Sequence, residues 1–253
     1  MCLLALAWQQ HPDLPLLLAA NRDEFHKRPT RPAAIWPEEP DLIGGKDLEA
    51  GGSWLLANYQ GRWATLTNVR EVGHPQPTNP RSRGELVRLA IEAPLAEVKD
   101  HLLARQQGYA GFNLIWGQDQ EAWHFSNRNH KTIQKLEPGL HLLSNADLNT
   151  PWPKTEKLRL AIQSWFEQES PKLEELFAKL ADSNPAKDED LPATGVGLEW
   201  ERFLSPIFIR GNNYGTRAST LLWLEKSRRM HLWERSFNAK AETCNEQKLD
   251  WQL

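Results

Sequence analysis

The sequence predicts a layered α+β domain, two mainly antiparallel sheets sandwiched between two helix layers, and three observations predict it. Apolar runs of strand length, separated by short turns, fill the chain before residue 70, between 112 and 145, and again after 207. Two stretches of helical periodicity, each long enough for a helix pair, interrupt them at 84–107 and 153–181. No repeat or linker divides the chain, so residues 1–253 form one domain with ample length to bury a core. Placing one helix pair outside each sheet would use every element.

The first element is a hairpin. Met1-Cys2-Leu3 to Trp8 and Leu14 to Ala20 are buried strands around a turn at Gln9 to Asp13, and the second ends in Asn21-Arg22-Asp23-Glu24. Cys2 would stand at one tip with the polar cluster beside it. Because cysteine is small, an aminopeptidase would remove Met1 and leave an α-amine with a reference pKa of about 7.7–8.0. Thiol and base would then share one residue, which matters because a thiol of reference pKa about 8.5 is mostly protonated at neutral pH. The competing reading makes Cys2 a small buried apolar residue.

Residues 25–42 carry Pro29, Pro32, Pro37 and Pro40 and read as an irregular surface segment. Gly44-Gly45 and Gly51-Gly52-Ser53-Trp54 read as turns into a strand. A phosphate loop is disfavoured, since Asp47 rather than Ser or Thr follows Lys46 and the required spacing is absent. Trp54 to Asn58 and Arg62 to Arg70 form a second hairpin that delivers Thr67, Asn68 and Arg70 to a strand end. After a Pro-rich loop at 71–83, helices are expected at Gly84 to Ile91 and Pro94 to Gln107. Strands follow at Phe112 to Gly117, Ala122 to Ser126, Thr132 to Leu136 and Leu140 to Asn145. Helices return at Pro153 to Glu167 and Pro171 to Ala181, and the charged stretch Asp182 to Thr194 is the expected mobile loop. Strands near Ile207 to Ile209, Tyr214 to Leu224 and Met230 to Glu234 complete the chain.

Composition narrows the function. Net charge −3 and a pI near 6.3 give no reason for a nucleic-acid partner, so Arg81-Ser82-Arg83 reads as a solvated turn. Two cysteines, Cys2 and Cys244, are no disulfide framework and suit a reducing compartment. With no targeting segment and no apolar run near the roughly 18 residues of a membrane span, the expectation is a cytoplasmic protein without integral membrane association. The histidines show no metal-ligand spacing, so neither metal nor other cofactor is expected. Twelve scattered tryptophans are read as core and edge filling. The oligomeric state is not legible.

Asn21-Arg22-Asp23-Glu24 is similar to the signature of the NRDE family, the proteins similar to transport and Golgi organization protein 2. The supporting stretches are Met1-Cys2, Gly51-Gly52-Ser53-Trp54, Thr67-Asn68-Val69-Arg70, Gly111-Phe112-Asn113-Leu114, Leu143-Ser144-Asn145 and Tyr214-Gly215-Thr216-Arg217. The order Cys2, a polar strand end near 22, Asn68, Asn145 and Arg217 also resembles the choloylglycine-hydrolase and penicillin-acylase branch of N-terminal-nucleophile hydrolases. That resemblance implies an αββα fold and cleavage of non-peptide amides. Carried over, it implies Cys2 as nucleophile, Asn68 and Asn145 as oxyanion donors, and Arg217 as the late arginine. Arg22 and Glu24 would orient the nucleophile or an anionic substrate, with Asn21, Asp23, Thr67 and Arg70 lining the substrate site. The hydrolases place arginine three residues before the acid; matching Glu24 to that acid puts Asn21 in the arginine's place, with Arg22 on the opposite face of the strand.

The expected function is therefore an N-terminal-cysteine amidohydrolase-like protein acting on a small, amphipathic, anionic amide or acyl substrate. The alternative implied by the family resemblance is a non-catalytic intracellular carrier of haem or acyl-lipid, linked to haem trafficking, lipid metabolism and Golgi organisation in eukaryotes. There Arg22, Arg70 and Arg217 would meet the ligand's anionic groups and His26 would be the histidine to test.

Overall fold

The computed structural model describes residues 3–128 and 132–253. Its first sheet contains β1 (Leu3–His11), β2 (Leu14–Phe25), β10 (Gly139–Leu143), β11 (Tyr214–Leu224), β12 (Arg229–Phe237) and β13 (Thr243–Gln252), in the order β10-β1-β2-β11-β12-β13. The second contains β3 (Thr30–Trp36), β4 (Glu39–Asp47), β5 (Leu55–Asn58), β6 (Trp63–Asn68), β7 (Phe112–Gln118), β8 (Glu121–Ser126) and β9 (Gln134–Lys135), side by side in chain order. Every pairing between neighbours is antiparallel. Helices α1 (Gly84–Glu92) and α2 (Leu95–Arg105) cover the second sheet, and α3 (Pro153–Phe166) and α4 (Glu174–Leu180) cover the first. This is the expected α+β sandwich.

Alternation along the strands explains the layers. In β1, Leu4, Leu6 and Trp8 pack between the sheets with Leu18, Trp54, Trp63 and Leu222, while Leu3, Ala5 and Ala7 face Leu158, Ile162 and Trp165 of α3. With both faces covered, the strand reads as a continuous apolar run. Leu86 and Val87 of α1 close the third core against Leu66, Leu114 and Phe125.

Several expectations are corrected. The proline-rich segment 25–42 is not irregular: it holds β3 and the start of β4. β3 is an edge strand, and Pro32 falls where the register shifts between Arg31 and Ala34, so its missing N–H removes no ladder bond. Gly44 and Gly45 lie within β4 rather than in a turn; a Cβ on Gly45 would come within 2.0 Å of the Trp54 ring, so the glycine makes room for the indole. Ile207 to Ile209 is buried but forms no strand, because Ile209 exchanges hydrogen bonds only with Thr216. Asp182 to Thr194, expected as a mobile loop, carries ion pairs of Lys157 with Asp182 and of Arg202 with Asp188, each at 2.6 Å, and its Thr194 N–H donates to Glu201. A short helix not foreseen, α5 (Leu198–Phe203), follows that segment.

Candidate functional site

The polar end of β2 is split by strand alternation. Asn21 and Asp23 face the helix layer. Asn21 is fully buried, its Nδ2 donating to the carbonyls of Leu180 and Ile207 at 2.8 Å each and its Oδ1 accepting from the Ser219 hydroxyl at 2.6 Å. Asp23 accepts from the Thr216 hydroxyl at 2.6 Å. Arg22 and Glu24 face the second sheet instead, so Arg22 rather than Asn21 stands on the inner face. The Arg22 guanidinium lies 4.3 Å from the centroid of the Trp54 ring, and Nη2 is 3.8 Å from Glu24 Oε2.

Arg22, Glu24, Trp54 and Asn68 line a cavity of about 470 Å³, joined by Arg28, Arg81 and Arg83. One wall is acidic: Arg28 is held by Asp47 at 2.8 Å, Glu49 at 2.9 Å and Glu24 at 3.9 Å. Burial opposes the Arg28 charge, but these carboxylates outweigh it and raise its pKa. The opposite wall is the start of α1, where Gly52 packs so tightly on Gly84 that a Cβ would sit 2.5 Å from backbone.

Arg22 is the unusual member. It is 4% exposed, and its Nη1 has no hydrogen-bond partner among the described residues. Burial lowers its pKa, with Glu24 opposing. A buried guanidinium with one unpartnered nitrogen is costly to keep, by about 1–3 kcal/mol for an unsatisfied donor. A polar group kept that way beside a cavity suits a ligand or reacting group.

The structure does not bring the other predicted residues equally to this cavity. Cys2 lies outside the described residues; Leu3, next in the chain, pairs with Asn21. Asn68 lines the cavity, and its carbonyl accepts from Asn145 Nδ2 at 2.9 Å, so Asn145 buttresses the strand end that carries Asn68. Thr67 is buried and accepts from Asn113 Nδ2 at 3.2 Å. Arg70 pairs with Glu201 at 2.8 Å, away from the cavity lining. Arg217 occupies a bulge in β11 opposite Arg22 and Asp23, and its Nη1 donates to the carbonyls of Phe25, His26 and Arg28 at 2.9, 3.1 and 3.2 Å. His26 hydrogen-bonds the Gly211 carbonyl at 2.9 Å through Nε2.

Two cavity-lining features were not expected from the sequence. Arg81-Ser82-Arg83, expected as a solvated turn, also forms cavity wall; its signal is its place immediately before the first helix. Trp54, expected to fill the core, does so and also lines the cavity. Among the described residues no group of three His, Cys, Asp or Glu side chains is arranged to hold a metal ion, and no helix is long and apolar enough to cross a membrane.

The four layers, with the polar ends of β2 and β6 opening on one cavity, define an N-terminal-nucleophile hydrolase-like fold. Two solved structures share it. One is the Caenorhabditis elegans N-acylethanolamine-hydrolyzing acid amidase ortholog, with a TM-score of 0.51 and 11% identity, covering 87% of this chain and 92% of that one. The other is a variant of conjugated bile acid hydrolase from Clostridium perfringens, with a TM-score of 0.52 and 10% identity, covering 98% and 92%. At such identities the likeness concerns the fold alone. Sequence comparison goes further: the profile of the family Transport and Golgi organisation 2 matches residues 1–239, and the chain belongs to that family. It is 32% identical over 248 residues to the Homo sapiens Transport and Golgi organization protein 2 homolog, covering 89% of this chain and 87% of the relative. To the Drosophila melanogaster Transport and Golgi organization protein 2 it is 26% identical over 263 residues, covering 92% and 91%.

Proposed function

We propose that this chain is an N-terminal-cysteine amidohydrolase that cleaves a small non-peptide amide or acyl substrate, with Cys2 as nucleophile. The observation that carries the reading is the buried Arg22 guanidinium with its unpartnered Nη1 beside the cavity. The two fold neighbours, named as an amidase and as a conjugated bile acid hydrolase, add support.

In this reading, removal of Met1 frees the Cys2 α-amine, which takes the thiol proton. The thiolate attacks the substrate carbonyl carbon, and the Asn68 side-chain amide with the second N–H of Asn145 stabilises the oxyanion, each donor being worth on the order of 3 kcal/mol. The C–N bond breaks, the amine leaves with the proton, and water hydrolyses the thioester to release the acid and restore the thiol. Arg22 supplies positive charge for the thiolate or for an anionic substrate group. The chemistry needs a reduced Cys2, which fits the cytoplasmic placement expected from the cysteine usage. The carrier alternative has less support, since Arg70 and Arg217 are committed to Glu201 and to backbone carbonyls, and His26 to Gly211.

Intact mass before and after mild thiol labelling, with peptide mapping, tests the reading. Cys244 is exposed and serves as an internal control. The expected result is loss of Met1, faster labelling of Cys2 than of Cys244, and turnover of an amide panel that Cys2→Ala abolishes. Retained Met1, or a Cys2 no more reactive than Cys244, would overturn it.

A further inference from the structure

A second recess lies on the other side of the β2 end, and its chemistry differs from that of the charged cavity. It encloses about 470 Å³ and is lined by Phe25, Tyr214, Phe203 and Trp200, with Glu199 and the loop Gly211-Asn212-Asn213. The four rings form a continuous chain. Phe25 meets Tyr214 at 5.1 Å and 75°, Tyr214 meets Phe203 at 6.4 Å, and Phe203 meets Trp200 at 5.4 Å and 85°. Phe25 and Trp200 stay about half exposed, at 47% and 50%. Leaving two large rings half-wet in one recess marks a binding surface rather than incidental exposure.

The recess is built, not accidental. Gly211 admits the Phe203 ring, since a Cβ there would stand 2.8 Å from it. His26 pins the floor twice, its backbone N–H donating to the Asn213 carbonyl at 2.9 Å and its Nε2 contacting the Gly211 carbonyl. Arg217 fixes the segment that carries Phe25 through its three carbonyl bonds.

The lining also selects the charge of the occupant. Among the described residues no lysine, arginine or histidine lines the recess, and Glu199 is its one charged residue. An anion would find no cationic partner. A metal ion would find one carboxylate in the lining, and among the described residues no group of three His, Cys, Asp or Glu stands together to hold one. Ring faces attract a weakly hydrated organic cation through their quadrupoles, and a carboxylate at the rim adds to that attraction. We propose that this aromatic recess binds a small soluble molecule bearing an alkylated ammonium group, with Trp200 and Phe25 against its methyl groups and Glu199 against its charge. The site stands apart from the Cys2 chemistry and does not depend on it.

Isothermal titration of the full chain with choline, and separately with 3,3-dimethyl-1-butanol, its uncharged carbon isostere, tests the assignment. Choline should bind saturably and the isostere at least about tenfold more weakly, while Trp200→Leu and Glu199→Gln should each weaken choline by about threefold or more. Both residues are exposed, so the variants should keep the wild-type circular dichroism and melting profile. Equal binding of the isostere, no saturable choline binding, or affinity unchanged in both variants would overturn the proposal. So would binding to phosphatidylcholine vesicles without binding of free choline, because the occupant would then be a lipid surface.

Discussion

Replacing Arg22 by Met, beside the same replacement at Arg70, separates a side chain held for chemistry from one held for the fold. In Arg22→Met the chain loses the stacking of the guanidinium on Trp54, worth about 2 kcal/mol where desolvated. It also loses a long ion pair with the 24%-exposed Glu24, worth about 0–1 kcal/mol. Against this it no longer buries an unsatisfied donor, a gain of about 1–3 kcal/mol, and the Met side chain refills most of the stem. The terms nearly cancel, so Arg22→Met should stay within about 1 kcal/mol of the parent. In Arg70→Met nothing offsets the loss. The Arg70 partner, Glu201, is 5% exposed, and its Oε2 would lose the guanidinium at 2.8 Å, leaving a buried carboxylate without its cation, with the Thr194 hydrogen bonds to Oε1 remaining, at a cost of about 3–5 kcal/mol. Urea denaturation of both variants measures the contrast, with the slope checked for constancy. On the site reading, Arg22→Met alone also slows thiol labelling of Cys2. If Arg22→Met lost as much stability as Arg70→Met, Arg22 would be a structural anchor and the observation that carries the proposed function would fail.

Gly45→Ala should destabilise through one ring. Its Cβ would lie 2.0 Å from Trp54 Cζ2 where contact requires about 3.5 Å. The indole must therefore move by roughly 1.5 Å, which outweighs the gain of about 0.4–1 kcal/mol from a stiffer unfolded chain. A net loss of about 1–2 kcal/mol is expected, with a changed near-ultraviolet dichroism; an unchanged melting midpoint would show that the glycine is not there for Trp54. Glu71→Gln tests acid stability. Burial would raise the Glu71 carboxyl, but hydrogen bonds from Arg128 and Gln76 win and hold its pKa low. A depressed folded pKa stabilises above the unfolded value of about 4.3, and that contribution is lost as pH falls through the folded value. The variant should be about 2 kcal/mol less stable at neutral pH, and the gap should close on acidification below about pH 4; a gap constant across that range would count against the linkage.

The parts of the fold that declare themselves locally were legible. Both early hairpins, both helix pairs and the layer count follow from periods that each segment carries by itself. What escaped was set by distant partners. Pro32 reads as a strand breaker, and only its place on an edge, with Glu234 taking the next backbone N–H from Ala33 at 2.7 Å, makes a strand possible. β13 escaped because as an edge strand it alternates weakly, with Trp251 its one buried residue. Gly45 looks like a turn glycine until the Trp54 ring is placed on it. The three arginines of the site looked equivalent in the sequence, yet Arg70 finds Glu201 far along the chain, Arg217 finds three carbonyls, and Arg22 keeps a free nitrogen. Polar type and spacing point to a region; which side chain has potential left over depends on the full account of its partners.

That account changes what the four-residue motif does. Asn21 satisfies two carbonyls and one hydroxyl from three separate parts of the chain, so with Asp23 it locks β2 to β11 and to the segment before it. Arg22 and Glu24, one step away on the other face, reach the cavity. Because strand alternation forbids any of the four from changing face without a register slip that would turn Leu18 and Ala20 out of the inter-sheet core, folding and site geometry are coupled within one strand. Loss of Asn21 would therefore reach the cavity by way of stability, whereas loss of Arg22 would reach it directly. The lowered pKa of Arg22 and its open Nη1 persist because the locked side of the strand holds them in place.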